Sequence, residues 1–143
     1  MLEYDFNSSA GHWICMAAHR YQRAMNQELA PEGITYRQCQ VLAWLALDGP
    51  LSQVELAERM DIEPPTLVRV LDRMERDGLL ARDDSPDDRR RKVITPLKKA
   101  EAMWKTIIAC AERVRNRALA GMTAQQLQTL RELLQIVDTN LKA

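Results

Sequence analysis

The chain of 143 residues lacks the features of membrane, secreted and disulfide-stapled proteins. Its apolar runs stay well short of the roughly 18 residues that a membrane span requires. The N-terminal stretch has no basic segment followed by an apolar one, so a signal peptide is not expected. Three cysteines, an odd number without CxxC spacing, indicate reduced thiols rather than a disulfide framework. These absences predict a cytoplasmic protein without a membrane partner.

The chain also lacks the motifs of common enzymes. It contains no glycine-rich phosphate loop, no HExxH and no GxSxG, and its two histidines lie in one segment without an obvious carboxylate partner. We therefore predict that the protein is not an enzyme and needs no cofactor.

A net positive charge, common in DNA-binding proteins, is missing as well. Lys plus Arg and Asp plus Glu both total 20. Residues 35–95 contain 10 basic and 12 acidic side chains, a net charge of −2. Because phosphate contacts dominate affinity for DNA, composition alone does not predict DNA binding. Any such function must depend on where the arginines lie.

Helical periodicity is present along most of the chain. Capping-box spacing at Thr35, Ser52 and Thr123 predicts three helix starts, and Gly78 supplies a left-handed stop. Pro64 and Pro65 suit the first turn of a helix, where their missing N–H groups are not needed. The predicted helices cover residues 8–29, a segment from Thr35 to the stop at Asp48-Gly49-Pro50, 53–60, 65–77, 96–120 and a final segment from Thr123 to Leu141.

A change of period marks a β-hairpin in the middle of the chain. Residues 79–84 and 91–95 read as short strands around a polar tip at 85–90 that is rich in arginine. The fold class is therefore mainly α, a winged helix-turn-helix with a small hairpin wing. The predicted organisation is an N-terminal dimerisation helix (1–34), a DNA-binding lobe (35–95) and C-terminal dimerisation helices (96–143).

The helix at 65–77 has the pattern of a recognition helix. With Leu67 and Leu71 turned inward, its other face is free to enter the major groove, where Arg reads guanine O6 and N7. Its N-terminus is expected to offer free N–H groups to a phosphate, with the Thr66 hydroxyl adding to that contact. At the hairpin tip, Arg89 and Arg90 are expected in the minor groove. The candidate DNA contacts are Ser52, Pro65, Thr66, Val68, Arg69, Arg73, Asp88, Arg89 and Arg90.

The long terminal helices are amphipathic, and pairing them within one chain would leave apolar surface exposed. Burying that surface against a second copy gives a twofold homodimer, the commonest closed assembly.

The sequence resembles the helix-turn-helix and wing of the MarR family at residues 53–60, 62–69, 71–75, 77–79 and 87–90. The string Ile62-Glu63-Pro64-Pro65-Thr66-Leu67-Val68-Arg69 most resembles the SlyA branch. The resemblance implies a winged-helix homodimer that binds a pseudo-palindromic operator as a repressor or as an antagonist of one. It also implies that Arg69 contacts a base or the backbone, and that Arg90 is the wing arginine, its side chain held by Asp88. A pocket for a small aromatic effector such as salicylate is implied too, with His19, Thr35 and Cys39 among its lining positions.

Three other interpretations remain open. The slightly acidic lobe is compatible with a winged helix that binds protein instead of DNA. Cys15 invites comparison with thiol-based redox-sensing members of the family, although a small buried apolar role is favoured. His12, Cys15 and His19 share one helix face but supply fewer than the four ligands of a structural zinc site, so we expect packing and not a metal.

Overall fold

The helices begin and end close to the positions that the sequence predicts. The computed structural model describes residues 1–142. Its helices are α1 (Ala10–Leu29), α2 (Tyr36–Asp48), α3 (Gln53–Met60), α4 (Pro64–Arg76), α5 (Lys99–Ala118) and α6 (Ala124–Leu141), with a 3₁₀ turn at Ala30–Glu32. In this described part of the chain, no helix is long and apolar enough to cross a bilayer.

Capping boxes fix the starts of three helices. The hydroxyls of Thr35, Ser52 and Thr123 each accept a hydrogen bond of 3.1 Å from the backbone N–H three residues on. The Gln or Glu side chain at that third position accepts from the N–H of the capping residue in return. Both exchanges satisfy N–H groups that the helix itself leaves unpaired, so the predicted helix starts are confirmed.

The predicted hairpin is confirmed, and a third strand joins it. Strands β1 (Leu51–Ser52), β2 (Leu80–Asp84) and β3 (Lys92–Pro96) form an antiparallel sheet in the order β1-β3-β2. Ile94 lies opposite Leu51 on one side and Arg82 on the other. Strand β1 was not predicted, because two residues are too few to show an alternating pattern.

The expectation that a helix starts near Pro96 is wrong. Pro96 is the last residue of β3, opposite Leu80, and the Leu97 N–H then donates to the Leu79 carbonyl at 2.9 Å. This bond keeps the chain extended beyond the strand, so α5 begins only at Lys99.

The apolar face of α4 anchors it to the core of the lobe. Leu67, Leu71 and Met74 are fully buried, and they share one cluster with Leu56 of α3 and Ile94 of β3. The opposite face of α4 is thereby held toward solvent. Val68, expected on that outer face, is half-buried.

The terminal helices pack differently. α1 lies against α5, where the Arg113 guanidinium pairs with Glu28 at 2.9 Å and the Cys110 thiol donates to the Glu28 carbonyl at 3.5 Å. α6 has no buried residue in the described chain. Large apolar side chains therefore remain exposed on the two terminal helices: Trp13, Ile14, Tyr21, Leu133, Leu134, Ile136 and Leu141.

Candidate nucleic-acid interface

The exposed face of α4 presents a compact set of polar and apolar groups. Pro65, Thr66, Arg69 and Arg73 are all exposed along it. α3 braces α4 from behind through a tight turn, in which Asp61 takes the left-handed conformation with a φ of 50°. Aspartate tolerates that conformation better than most residues, which permits so short a connection between the two helices.

The N-terminus of α4 does not offer free N–H groups to a phosphate, so that expectation is wrong. Pro64 and Pro65 occupy its first two positions and have no N–H. The next two amides, of Thr66 and Leu67, both donate to the Glu63 carbonyl, at 3.0 and 3.2 Å. This end of the helix therefore presents proline rings, a hydroxyl and a carboxylate rather than amide donors.

The tip of the wing is shaped by backbone hydrogen bonds. The Asp88 carboxylate accepts from the Arg90 backbone N–H at 2.9 Å, and the Asp88 carbonyl accepts from the Arg91 N–H at 3.0 Å. Asp88 was expected to hold the Arg90 side chain; the structure shows it instead folding the turn. Arg89 and Arg90 are exposed, and neither forms an ion pair with any of residues 1–142.

Arg82 joins the wing to α4. Its guanidinium donates to Asp72 at 2.6 Å and to Glu75 at 3.1 Å, while its backbone N–H reaches Glu75 at 3.2 Å. Hydrogen bonds with Glu75, and then with Asp72, raise the pKa of Arg82, and the bond from Arg82 lowers the pKa of Glu75. Strand β2 and α4 are thus held at a fixed distance and angle.

Arg91 joins the wing to α3. Its guanidinium meets Glu55 at 2.5 Å, and the same carboxylate accepts from the Ser52 backbone N–H at 2.8 Å. The hydrogen bonds from Ser52 and Arg91 lower the pKa of Glu55 from 4.5 to about 2. Sequence reasoning found Glu55 as a cap but missed Arg91, which lies 36 residues away.

Ser52 belongs to this support rather than to the interface. It is 2% exposed, its hydroxyl caps α3 and its backbone N–H is bound by Glu55. The prediction that Ser52 contacts DNA is therefore wrong, because neither its backbone N–H nor its hydroxyl is accessible.

Ion pairs sort the cations of this lobe into two groups. Arg59, Arg82, Arg91 and Lys92 are each paired with a carboxylate of the lobe. Within the described residues, those without such a pair on α4 and the wing tip are Arg69, Arg73, Arg76, Arg89 and Arg90. Apart from Arg37 of α2, the unpaired arginines of this slightly acidic lobe therefore lie on α4 and the wing tip.

The three effector candidates have different surroundings, and none of them lines the cleft between α2 and the start of α5. His19 is exposed on α1, the Thr35 hydroxyl caps α2, and Cys39 is buried. Burial, with a smaller contribution from Cys110, raises the pKa of the Cys39 thiol. A cleft of about 330 Å³ lies instead further along α2, against the start of α5, with Leu42, Leu45, Leu97 and Trp104 among its walls.

The surroundings of Cys15 differ from those favoured for it. Cys15 is exposed in this chain, so the buried role favoured for it is not observed. Among the described residues, no group of three or more His, Cys, Asp and Glu side chains is arranged to hold a metal ion.

Three features define the class of protein. The helix α3 braces the recognition helix α4, the hairpin wing is joined to α4, and both α4 and the wing carry unpaired arginines. This is a winged-helix DNA-binding protein. Residues 32–91 match the family model described as MarR family. Wild-type MarR from E. coli, in its apo form, superposes with a TM-score of 0.81 at 25% identity over 95% of this chain and 98% of that chain. In its DNA-binding lobe and in its fold, the chain is therefore similar to the winged-helix regulators of the MarR family.

Two further solved structures are similar over most of their length. A Cys-to-Ser mutant of E. coli MarR, complexed with operator DNA, has a TM-score of 0.76 and 26% identity, over 89% of this chain and 91% of that chain. Bordetella bronchiseptica BpsR, whose DNA binding is regulated by 6-hydroxynicotinic acid, shares the fold with a TM-score of 0.80 at 24% identity, over 96% of this chain and 98% of that one.

The two roles of Glu55 are separable by substitution. Glu55→Gln keeps a capping-box acceptor but loses the ion pair with Arg91. Because the pKa of Glu55 is lowered in the folded protein, its charge stabilises the fold fully above pH 4.5, and this contribution disappears as the pH falls through about 2. Denaturant unfolding of the wild type and Glu55→Gln should therefore differ at pH 7 and converge near pH 2.

Glu58→Gln is the matched control, since Glu58 is an exposed residue of the same helix without an ion pair among residues 1–142. A stability difference for Glu55→Gln that does not change with pH would contradict the role of its charge.

Proposed function

We propose that the protein is a homodimeric regulator that places both copies of α4 in successive major grooves of a pseudo-palindromic operator. The two half-sites are then roughly 10 base pairs apart on one face of the duplex. In each half, the wing carries Arg90 into the adjacent minor groove, where the negative potential attracts guanidinium groups.

One observation carries this proposal: of the six arginines of residues 35–95 that form no ion pair, five lie on α4 and the wing tip, and Arg82 joins these two elements. A broad basic surface is not needed if a few cations are held in fixed positions. The operator complex of a MarR relative supports this use of the fold.

The dimer follows from the uncovered apolar faces of the terminal helices. On α6, Leu127, Leu130, Leu134, Val137 and Leu141 recur at helical spacing and share one face. None of them is buried within the chain. Packing against a second copy of the chain would remove this face of α6 and the exposed apolar side chains of α1 from water.

A small aromatic effector remains part of the proposal. Regulation of BpsR by 6-hydroxynicotinic acid supports it by likeness of fold alone. His19 and Thr35 are exposed and accessible to a ligand, whereas Cys39 is covered. Membership of the SlyA branch and repressor action rest on the motif at residues 62–69. The proposal that the protein is not an enzyme rests on the absent enzyme motifs. The proposal that it acts in the cytoplasm rests on the three free thiols.

Selection of bound fragments from random DNA by the purified protein tests the proposal. Recovery of a palindrome with two equivalent half-sites is the expected result. Failure to recover any DNA at low salt would favour the alternative of a winged helix that binds protein, because low salt strengthens every phosphate contact.

Arg90→Ala should weaken operator binding by about 1–3 kcal/mol, because it removes a guanidinium from the minor groove. A fluorescence anisotropy titration at fixed salt measures the loss, and the dimer should stay intact. Arg37→Ala is the control, since Arg37 is exposed on α2 and outside the candidate contacts. Unchanged affinity in Arg90→Ala would remove Arg90 from the interface.

Arg69→Ala should reduce discrimination between operator and random DNA, because a base-reading arginine binds guanine O6 and N7. The ratio of the two dissociation constants is the quantity to compare with the wild type. An equal loss on both DNAs would make Arg69 a phosphate contact.

Leu134→Glu should shift the protein from dimer to monomer, because it places a charge on the apolar face of α6. Sedimentation velocity reads the mass directly, and circular dichroism checks that the helices remain. Gln135→Glu adds the same charge one position away, off that face, and should leave the dimer unchanged. Dimers of equal strength in the two variants would contradict the assigned interface.

A further inference from the structure

Glu63 caps α4 without using its side chain. It is the residue immediately before the helix, it is exposed, and its carboxylate makes no capping hydrogen bond. Thr35, Ser52 and Thr123, by contrast, all cap with their hydroxyls. Glutamate is not a preferred capping residue, so what its carboxylate offers α4 is the modest effect of a negative charge near the positive end of the helix dipole.

The carboxylate of Glu63 is also left without a cationic partner. In the described part of the chain it forms no ion pair, and it is one of seven such carboxylates among the twelve of residues 35–95. The nearest helix amides cannot reach it either, since two are replaced by Pro64 and Pro65 and the next two bind the Glu63 carbonyl. All of its acceptor capacity is available to a ligand.

A free carboxylate at this position has a cost on DNA. The N-terminal residues of a recognition helix approach base edges, between two rows of phosphates. An unpaired negative charge is repelled there unless the DNA supplies a hydrogen-bond donor. Glu63 is therefore expected to favour binding to DNA sequences that present a hydrogen-bond donor at this position and to disfavour binding to the others.

The donor pattern of the major groove decides which sequences are favoured. An ionised carboxylate only accepts hydrogen bonds. Cytosine presents the N4 amino group, whereas guanine presents two acceptors and thymine the O4 acceptor. Adenine presents the N6 donor beside the N7 acceptor, which repels the second carboxylate oxygen. Cytosine is the base that matches Glu63 best.

We propose that Glu63 is a specificity-determining residue that selects cytosine in each half-site of the operator through the N4 amino group. The inference rests on the proposed function, in which α4 enters the major groove. It adds a base-reading acidic side chain to an interface otherwise described by its arginines.

The test compares the sequences selected from random DNA by the wild type, Glu63→Gln and Glu63→Ala. The wild type should require cytosine at one position per half-site, and changing that cytosine to thymine should weaken binding about fivefold or more. Glu63→Gln should change the preference to adenine, because an amide can donate to N7 while accepting from N6. Glu63→Ala should lose the preference at that position only.

Glu58→Gln is the matched control and should select the wild-type sequence. Identical sequence preferences in all variants would overturn the inference, and so would a uniform rise in affinity for every DNA, which would make Glu63 a source of phosphate repulsion only. Both outcomes require DNA binding by the wild type, so they are distinct from a failure of the proposed function, in which the wild type selects no sequence.

Discussion

The position of the wing relative to α4 depends on Arg82. One guanidinium spans Asp72 and Glu75 on successive turns of the helix, and the backbone N–H of the same residue adds a third bond. Hydrogen bonds with Glu75 and Asp72 raise the pKa of Arg82, and the bond from Arg82 lowers the pKa of Glu75, so each partner favours the charged form of the other. A helix in one groove and a hairpin in the next can act together only if their separation is constant.

The connection between the wing and α3 works through Glu55 in a similar way. One carboxylate completes the helix cap at Ser52 and pairs with Arg91. The start of α3, strand β1 and the base of the wing therefore share a single side chain. Local helix capping and long-range placement of the wing are coupled through this side chain, so a substitution that disrupts the cap should also disturb the position of the wing.

Local features of this fold could be predicted from sequence, and long-range ones could not. The caps at Thr35, Ser52 and Thr123 and the hairpin each involve residues only a few positions apart, so spacing reveals them. The pair of Glu55 and Arg91 leaves no local pattern, and strand β1 exists only because β3 lies beside it.

Two of the expectations for the site were wrong for different reasons. The amides missing from the start of α4 were visible in the sequence, because proline has no N–H, and their loss follows without any structure. The partner of Asp88 was not visible: a carboxylate two residues before an arginine can bind either its side chain or its backbone, and only the turn geometry shows the latter.

The absence of buried side chains on α6 has a thermodynamic consequence. A helix of this length has little stability of its own in water, so its free energy of folding must come from association. Folding of that region is then governed by mass action, and its melting temperature should rise with protein concentration.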